Sequence, residues 1–157
     1  MINLNELCHF LVKAKRSTYA SGDESIKIKE KDGSTTLVFE NGDFKYHDNY
    51  FGGEPYGGRE VVFYQGIPVY MMVYYGFVAK DTKDINNIYS VLQKALSLIT
   101  EEYPYRGPTE FIEGEYKYSN EYSGEVDNFF GQEFIKHNGK IIYEARYIGG
   151  LIDQARE

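Results

Sequence analysis

The chain of 157 residues has no tryptophan, a single cysteine, four prolines and three histidines. One thiol, Cys8, excludes an intramolecular disulfide, so the fold rests on noncovalent packing. Cys8 falls beside the apolar face of a helix, a setting for a buried, inert thiol rather than a nucleophile. His9, His47 and His137 are scattered over unlike elements, with no HxH, HExxH or CxxC spacing, so no metal and no cofactor is expected. Basic residues are outnumbered 17 to 24, giving a net charge of −7. No dense Lys/Arg run compensates, which argues against direct binding to nucleic acid. A long hydrophobic run is also missing. The longest, Ile67 to Val78, alternates like a strand and is interrupted by Pro68 and Gly76. With no signal peptide ahead of the first helix, the expectation is a soluble cytoplasmic protein without a membrane partner. Neither a GxSxG elbow nor a GxGxxG or Walker loop is present. Gly52-Gly53, Gly57-Gly58 and Gly149-Gly150 read instead as turn or bulge glycines.

What the chain has in abundance is tyrosine, 16 residues beside 10 phenylalanines. Tyrosine favours half-buried strands, and its hydroxyl needs a partner once buried. The tyrosines fall in a repeated pattern. Gly42-Asp-Phe-Lys-Tyr46-His-Asp-Asn-Tyr50-Phe-Gly52 returns as Gly114-Glu-Tyr-Lys-Tyr118-Ser-Asn-Glu-Tyr122-Ser-Gly124. Gly58 and Glu60 return as Gly131 and Glu133, and Gly66, Tyr70, Tyr74 and Gly76 as Gly139, Tyr143, Tyr147 and Gly149. Such self-similarity indicates a duplicated supersecondary unit.

Each copy begins with a helix. The first opens at Asn3, an N-cap with Glu6 three residues on, and carries Leu4, Leu7, Leu11 and Ala14 on one face. The second follows Asp81 or Asp84, with Ile85, Ile88, Leu92, Ala95 and Ile99 as its apolar face. After each helix an antiparallel meander of about four strands is expected, with turns at Asn41-Gly42, Gln65-Gly66 and Asn138-Gly139. Segments 48–58 and 121–131 read as longer, Gly-rich loops. An extra edge strand is expected near 25–30, turning at Lys31-Asp-Gly-Ser34, with Lys27, Lys29 and Lys31 facing solvent. The reading is one α+β domain over 1–157. It holds two tandem helix-plus-meander repeats, about 3–78 and 84–152, related by a pseudo-two-fold. Together they form a curved antiparallel sheet with both helices on one face.

Two features carry candidate chemistry. Glu60 and Glu133 are equivalent in the two copies; brought together they would form a carboxylate pair fit for acid–base work. Their presence in both copies equally suits a structural role, accepting hydrogen bonds from the Gly-rich loops. Tyr103-Pro-Tyr105-Arg106-Gly-Pro108 has no counterpart in the first copy. Its prolines stiffen the presentation of Arg106, as an anchor for a carboxylate or phosphate or as the partner of an internal acid such as Asp48, Glu60 or Glu133. The strand Val69–Tyr75 is apolar on both faces, so its outer face (Val69, Met71, Val73, Tyr75) is covered within the chain, pairs with a second copy or lines a groove.

Several of these segments carry a family resemblance: Phe10–Ala20, Gly42–Gly53, Gly58-Arg-Glu-Val-Val62, Tyr105-Arg-Gly-Pro108 and Tyr143–Gly150. In them the chain resembles the DUF5680 family of uncharacterised bacterial and archaeal domains. The family usually has Trp at the position of Tyr70 and often Met-Asn-Tyr at Met72-Val73-Tyr74. The resemblance implies no activity. Fusion of some members to a repressor-type helix-turn-helix domain implies an effector-sensing or regulatory role, here in a stand-alone form.

The leading expectation is a non-enzymatic binding or regulatory domain. It would hold a small anionic molecule or a protein at the inter-repeat face, through Tyr46, Asp48, Tyr50, Arg59, Glu60, Tyr105, Arg106 and Glu133. The alternatives are an enzyme with Asp48, Glu60 or Glu133 as general acid or base and Arg106 as anion anchor, and a structural homodimer through Val69, Met71, Val73 and Tyr75.

Overall fold

The computed structural model describes residues 1–154. Two helices pack on a nine-stranded antiparallel sheet, so the class is α+β with an open, curved sheet. Helix α1 spans Leu4–Ser17 and α2 spans Ile85–Ser97. The strands are β1 Ile28–Lys29, β2 Thr35–Asn41, β3 Phe44–Phe51, β4 Tyr56–Tyr64, β5 Ile67–Val78, β6 Glu110–Glu113, β7 Tyr116–Glu125, β8 Asn128–His137 and β9 Lys140–Leu151. Their order across the sheet is β1-β2-β3-β4-β5-β9-β8-β7-β6. The two longest strands, β5 and β9, therefore pair at the centre. Neither helix is long and apolar enough to cross a membrane.

Local chemistry explains the element ends. Asn3 Oδ1 accepts from the backbone N–H groups of Asn5 and Glu6, at 2.9 and 3.2 Å, satisfying two of the open donors at the start of α1. Helix α2 follows Asp84, which has a left-handed φ of 63° and offers no side-chain cap. At its other end Arg16 of α1 donates to Ser97 O and Ile99 O, tying the two helices together. Gln65-Gly66 and Asn138-Gly139 have positive φ at both residues (49° and 82°; 50° and 80°), as a type I′ hairpin turn requires. The first turn is displaced by one residue from its expected place. Asn41 still pairs with Phe44, so the central residues are Gly42-Asp43, and only Gly42 has positive φ.

Other expectations need correcting. The edge strand near 25–30 shrinks to Ile28–Lys29, because Glu24–Ile26 forms a 3₁₀ turn capped by Asp23. Lys27 consequently leaves the strand row and pairs with Glu24 at 2.6 Å. Segment 121–131 is no loop: β7 and β8 run through it, with only Val126-Asp127 between them. The buried helix stripes start one turn later than the periodicity suggests. Leu4 and Ile85 are exposed, while Leu7, Phe10, Leu11 and Ala14 of α1 and Ile88, Val91, Leu92, Ala95 and Leu96 of α2 are buried. Complete burial of residues such as Leu11 and Leu92 contributes about 2–3 kcal/mol each.

These helix residues share one core with the inward-pointing positions of the sheet, among them Tyr46, Val62, Tyr70, Met72, Tyr118, Ile135, Tyr143 and Tyr147. The other sheet face has no cover among the described residues. Val73 and Tyr75 are exposed there, beside Ile148 and, one strand further, Phe130. Intramolecular cover of the β5 outer face is thus ruled out for Val73 and Tyr75. Met71 is partly buried, and Val69 is buried. Val69 drops out of the row because a register shift at Val62/Phe63 displaces the start of β5.

Candidate functional site

A cavity of about 260 Å³ lies between the inner face of β3–β5 and the two helices. Its floor is tyrosine and acid. Strand alternation sends Tyr46, Asp48 and Tyr50 of β3 inward, and the pairing register sets Asp48 directly opposite Glu60 of β4. Both carboxyls are almost fully buried, at 3% and 4% exposure. The roof comes from Tyr19, from Tyr89 and Gln93 of α2, and from Tyr105-Arg106. Exposed Glu24, Gly52, Gly53 and Asn86 mark the mouth.

Charged groups at the cavity are interlocked. Lys15, on the buried stripe of α1, lies 3.0 Å from Glu60 Oε2 and donates to the carbonyls of Pro104 and Tyr105 at 2.9 and 2.5 Å. Burial pulls the Lys15 ammonium down from its ordinary range, against the pull of Glu60. The Lys15–Glu60 contact is close but out of line, leaving Glu60 Oε2 buried without a hydrogen bond. Asp48 Oδ1 accepts from Tyr74 Oη at 2.5 Å. Burial first, then the Glu60 charge, push the Asp48 carboxyl up to about 7; the Tyr74 bond, Arg106 and Lys15 restrain it. Asp48 is therefore poised to gain or lose a proton near neutrality.

Arg106, though part of the cavity roof, spends its hydrogen bonds on an internal acid and a tyrosine. Its Nε donates to Glu133 Oε1 at 2.7 Å and its Nη2 to Tyr56 Oη at 3.2 Å, while the guanidinium sits 5.5 Å from the centre of the Tyr74 ring. Burial is the largest influence and opposes this charge, but Glu133 together with Tyr56, Tyr143 and Tyr118 outweighs it, and the group moves further above its usual range. Tyr118 donates to the second oxygen of Glu133, and Tyr56 and Tyr143 share a hydrogen bond of 2.5 Å. Opposite Glu133 in the β7–β8 register stands Asn120, which accepts from Tyr147 Oη at 2.7 Å and donates to Gly107 O at 3.0 Å. Every polar side chain in this second cluster is partnered.

Of the expected site residues, the structure brings Tyr46, Asp48, Tyr50, Glu60, Tyr105 and Arg106 to the cavity. Glu133 is wholly buried behind Arg106 and does not line it. Arg59 does not join the group: it pairs with Asn49 and Val73, on the sheet face away from the helices. Glu60 and Glu133 do not form a pair with each other, since each has its own cation, Lys15 and Arg106. Sequence reasoning missed Lys15, Tyr56, Tyr74 and Tyr89. Lys15 left a readable trace, a lysine four residues after Leu11 on the buried arc of an amphipathic helix. The three tyrosines left none, because only the packing of α2 on the sheet decides which hydroxyls meet. Among the described residues, no group of three or more His, Cys, Asp and Glu side chains is placed to hold a metal ion.

No curated protein and no solved structure matches the chain. One family model does, over residues 48–152, which take in β4 to β9 and most of the tyrosine–acid clusters but not α1 with Lys15. That model is described as a domain of unknown function (DUF5680), and by this match the chain belongs to the DUF5680 family.

Proposed function

We propose that the domain binds a small molecule in the cavity over β3–β5 and acts as a binding or regulatory module. The observation that carries this reading is the cavity itself. It is concave, walled by tyrosines, and holds two buried carboxyls with unmet acceptor capacity at Glu60. The cavity draws residues 15–74 from the first half of the chain and 86–106 from the second, in keeping with a site between two copies of one unit. Support for the duplication comes from a helix followed by antiparallel strands occurring twice (β1–β5 after α1, β6–β9 after α2), from the order of β2–β5 mirrored by β6–β9 about the β5–β9 pair, and from the matched pairs Asp48–Glu60 and Asn120–Glu133. A thermal-shift screen against a broad metabolite library tests the reading, since a ligand that binds only the folded state raises Tm. A library that leaves Tm unmoved refutes it.

A second reading is favoured by one observation, the Asp48 carboxyl held near about 7 inside a cavity. An acid so tuned suits general acid–base catalysis. It requires a substrate atom within hydrogen-bond reach of Asp48. Turnover of a cavity ligand that disappears in Asp48→Asn, with ligand binding retained, would establish it. A third reading, self-association through Met71, Val73 and Tyr75, draws on the exposed apolar row that Val73 shares with Ile148. A monomer mass in sedimentation at micromolar concentration removes it.

A further inference from the structure

The hydrogen-bonding inventory of the cavity is one-sided. All three cations near it are engaged. Lys15 directs its ammonium at Glu60, Pro104 O and Tyr105 O; Arg106 is committed to Glu133 and Tyr56; Lys27 at the mouth pairs with Glu24. Unspent capacity lies with the acceptors: Glu60 Oε2 meets the Lys15 ammonium at 3.0 Å as an ion pair without an aligned hydrogen bond, and Asp48 uses Oδ1 alone, for Tyr74. An anionic ligand would find acids and no free cationic donor.

The chain also displays what such a seat accepts. On the far half of the sheet the matching register pair, Asn120–Glu133, is filled by the guanidinium of Arg106, bonded to Glu133 and bordered by tyrosines. On the near half, the pair Asp48–Glu60 has one acid more and only the Lys15 ammonium, which approaches Glu60 out of line. The buried set as a whole counts two cations, Lys15 and Arg106, against three acids, Asp48, Glu60 and Glu133.

Building on the cavity as a ligand site, we infer that its ligand is a small organic cation, an amidine, guanidine or amine, whose N–H groups bond Asp48 and Glu60 while its body rests on the tyrosine walls. Such a ligand supplies the missing positive charge and takes the place of the proton on Asp48. The ionisable groups facing Asp48 are Lys15 from α1, Tyr46 on its own strand, Glu60 from β4, Tyr74 from β5 and Arg106 from the segment after α2. Asp48 is pushed up to about 7, so each cation bound releases nearly one proton at pH 6 and about half a proton at pH 7.

Three near-isosteric probes separate charge from shape: benzamidine, benzamide and benzoate, titrated into the full chain by calorimetry and thermal shift. Benzamidine keeps its charge between pH 6 and pH 8. It is expected to bind with about tenfold higher affinity at pH 8 than at pH 6, the factor set by an acid titrating at about 7. Benzamide is expected to bind at least about tenfold more weakly at pH 8, equivalent to one charge-assisted hydrogen bond, and benzoate not at all. Asp48→Asn reproduces the residue at the matching position 120, so the fold is expected to survive, with benzamidine weakened and its pH dependence abolished. Arg59→Ala, on the opposite sheet face, is expected to bind as the parent does. Benzoate binding in place of benzamidine overturns the cation assignment and leaves the cavity as a site. Silence from all three probes while other library members raise Tm does the same. Silence from probes and library alike overturns the site as well.

Discussion

Replacing Arg106 by methionine tests the most consequential contact in the core. The side chain is 7% exposed, and its partner Glu133 is wholly buried. Arg106→Met fills similar space but strands the Glu133 carboxylate, which keeps Tyr118 as its hydrogen-bond donor. Breaking a buried pair from one side costs about 3–5 kcal/mol, because the surviving charge stays desolvated. For a chain of this length that lowers Tm by about 6–20 °C. The double variant Arg106→Met/Glu133→Gln removes both charges and is expected to regain at least about 2 kcal/mol, since apolar or neutral replacements of buried pairs are often tolerated. Urea unfolding followed by far-UV circular dichroism and by tyrosine fluorescence suits a chain with 16 tyrosines and no tryptophan. A cost below about 1 kcal/mol for Arg106→Met, or a double variant no more stable than the single, would refute the reasoning. Either result would mean that water reaches Glu133.

Further outcomes follow from the same contacts. The folded state holds a proton on Asp48 that the unfolded chain gives up, so stability is expected to fall as pH rises from about 4 to about 7 and to level off above. Asp48→Asn should remove that slope, at most about 1.4 kcal/mol per pH unit, in urea titrations across this range; an unchanged slope would place its source elsewhere. Tyr70 has a wholly buried hydroxyl without a partner, so Tyr70→Phe is expected to be neutral or to stabilise by about 1 kcal/mol, and a clear loss in denaturant midpoint would show that the hydroxyl is satisfied. A methyl group on Gly149 would run into the carbonyl of Met71 in the central β5–β9 pair, so Gly149→Ala should cost more than about 2 kcal/mol or prevent folding, read from expression and melting. Gln65 holds a left-handed φ ahead of Gly66, and Gln65→Asn should raise stability by about 0.5 kcal/mol, checked by the same unfolding curves.

Much of the architecture follows from residue order. Leucine spacing and the Asn3 cap marked α1, and alternation and the Gly-containing turns marked the antiparallel strands. These features are local, and backbone stereochemistry and periodicity are enough to read them. The errors lie where local signals competed. The lysines at 27, 29 and 31 looked like an edge strand, yet the Asp23 cap turns 24–26 into a 3₁₀ turn and sends Lys27 to the cavity mouth. The β7–β8 connection looked like a loop because its glycines suggested one, whereas the strands continue through it.

The candidate site divides along the same line. Sequence alone marked Asp48, Glu60 and Arg106 as candidates, since buried-strand acids and a proline-braced arginine stand out in any chain. It could not pair them. Whether Arg106 meets a ligand or Glu133, whether Lys15 reaches Glu60, and which tyrosines wall the cavity depend on how helices at positions 4–17 and 85–97 settle on strands far along the chain. Charge pairing in a buried core is a nonlocal quantity. It depends on distances across the sheet and on the water excluded when α2 closes over β3–β5, and only the tertiary structure sets those.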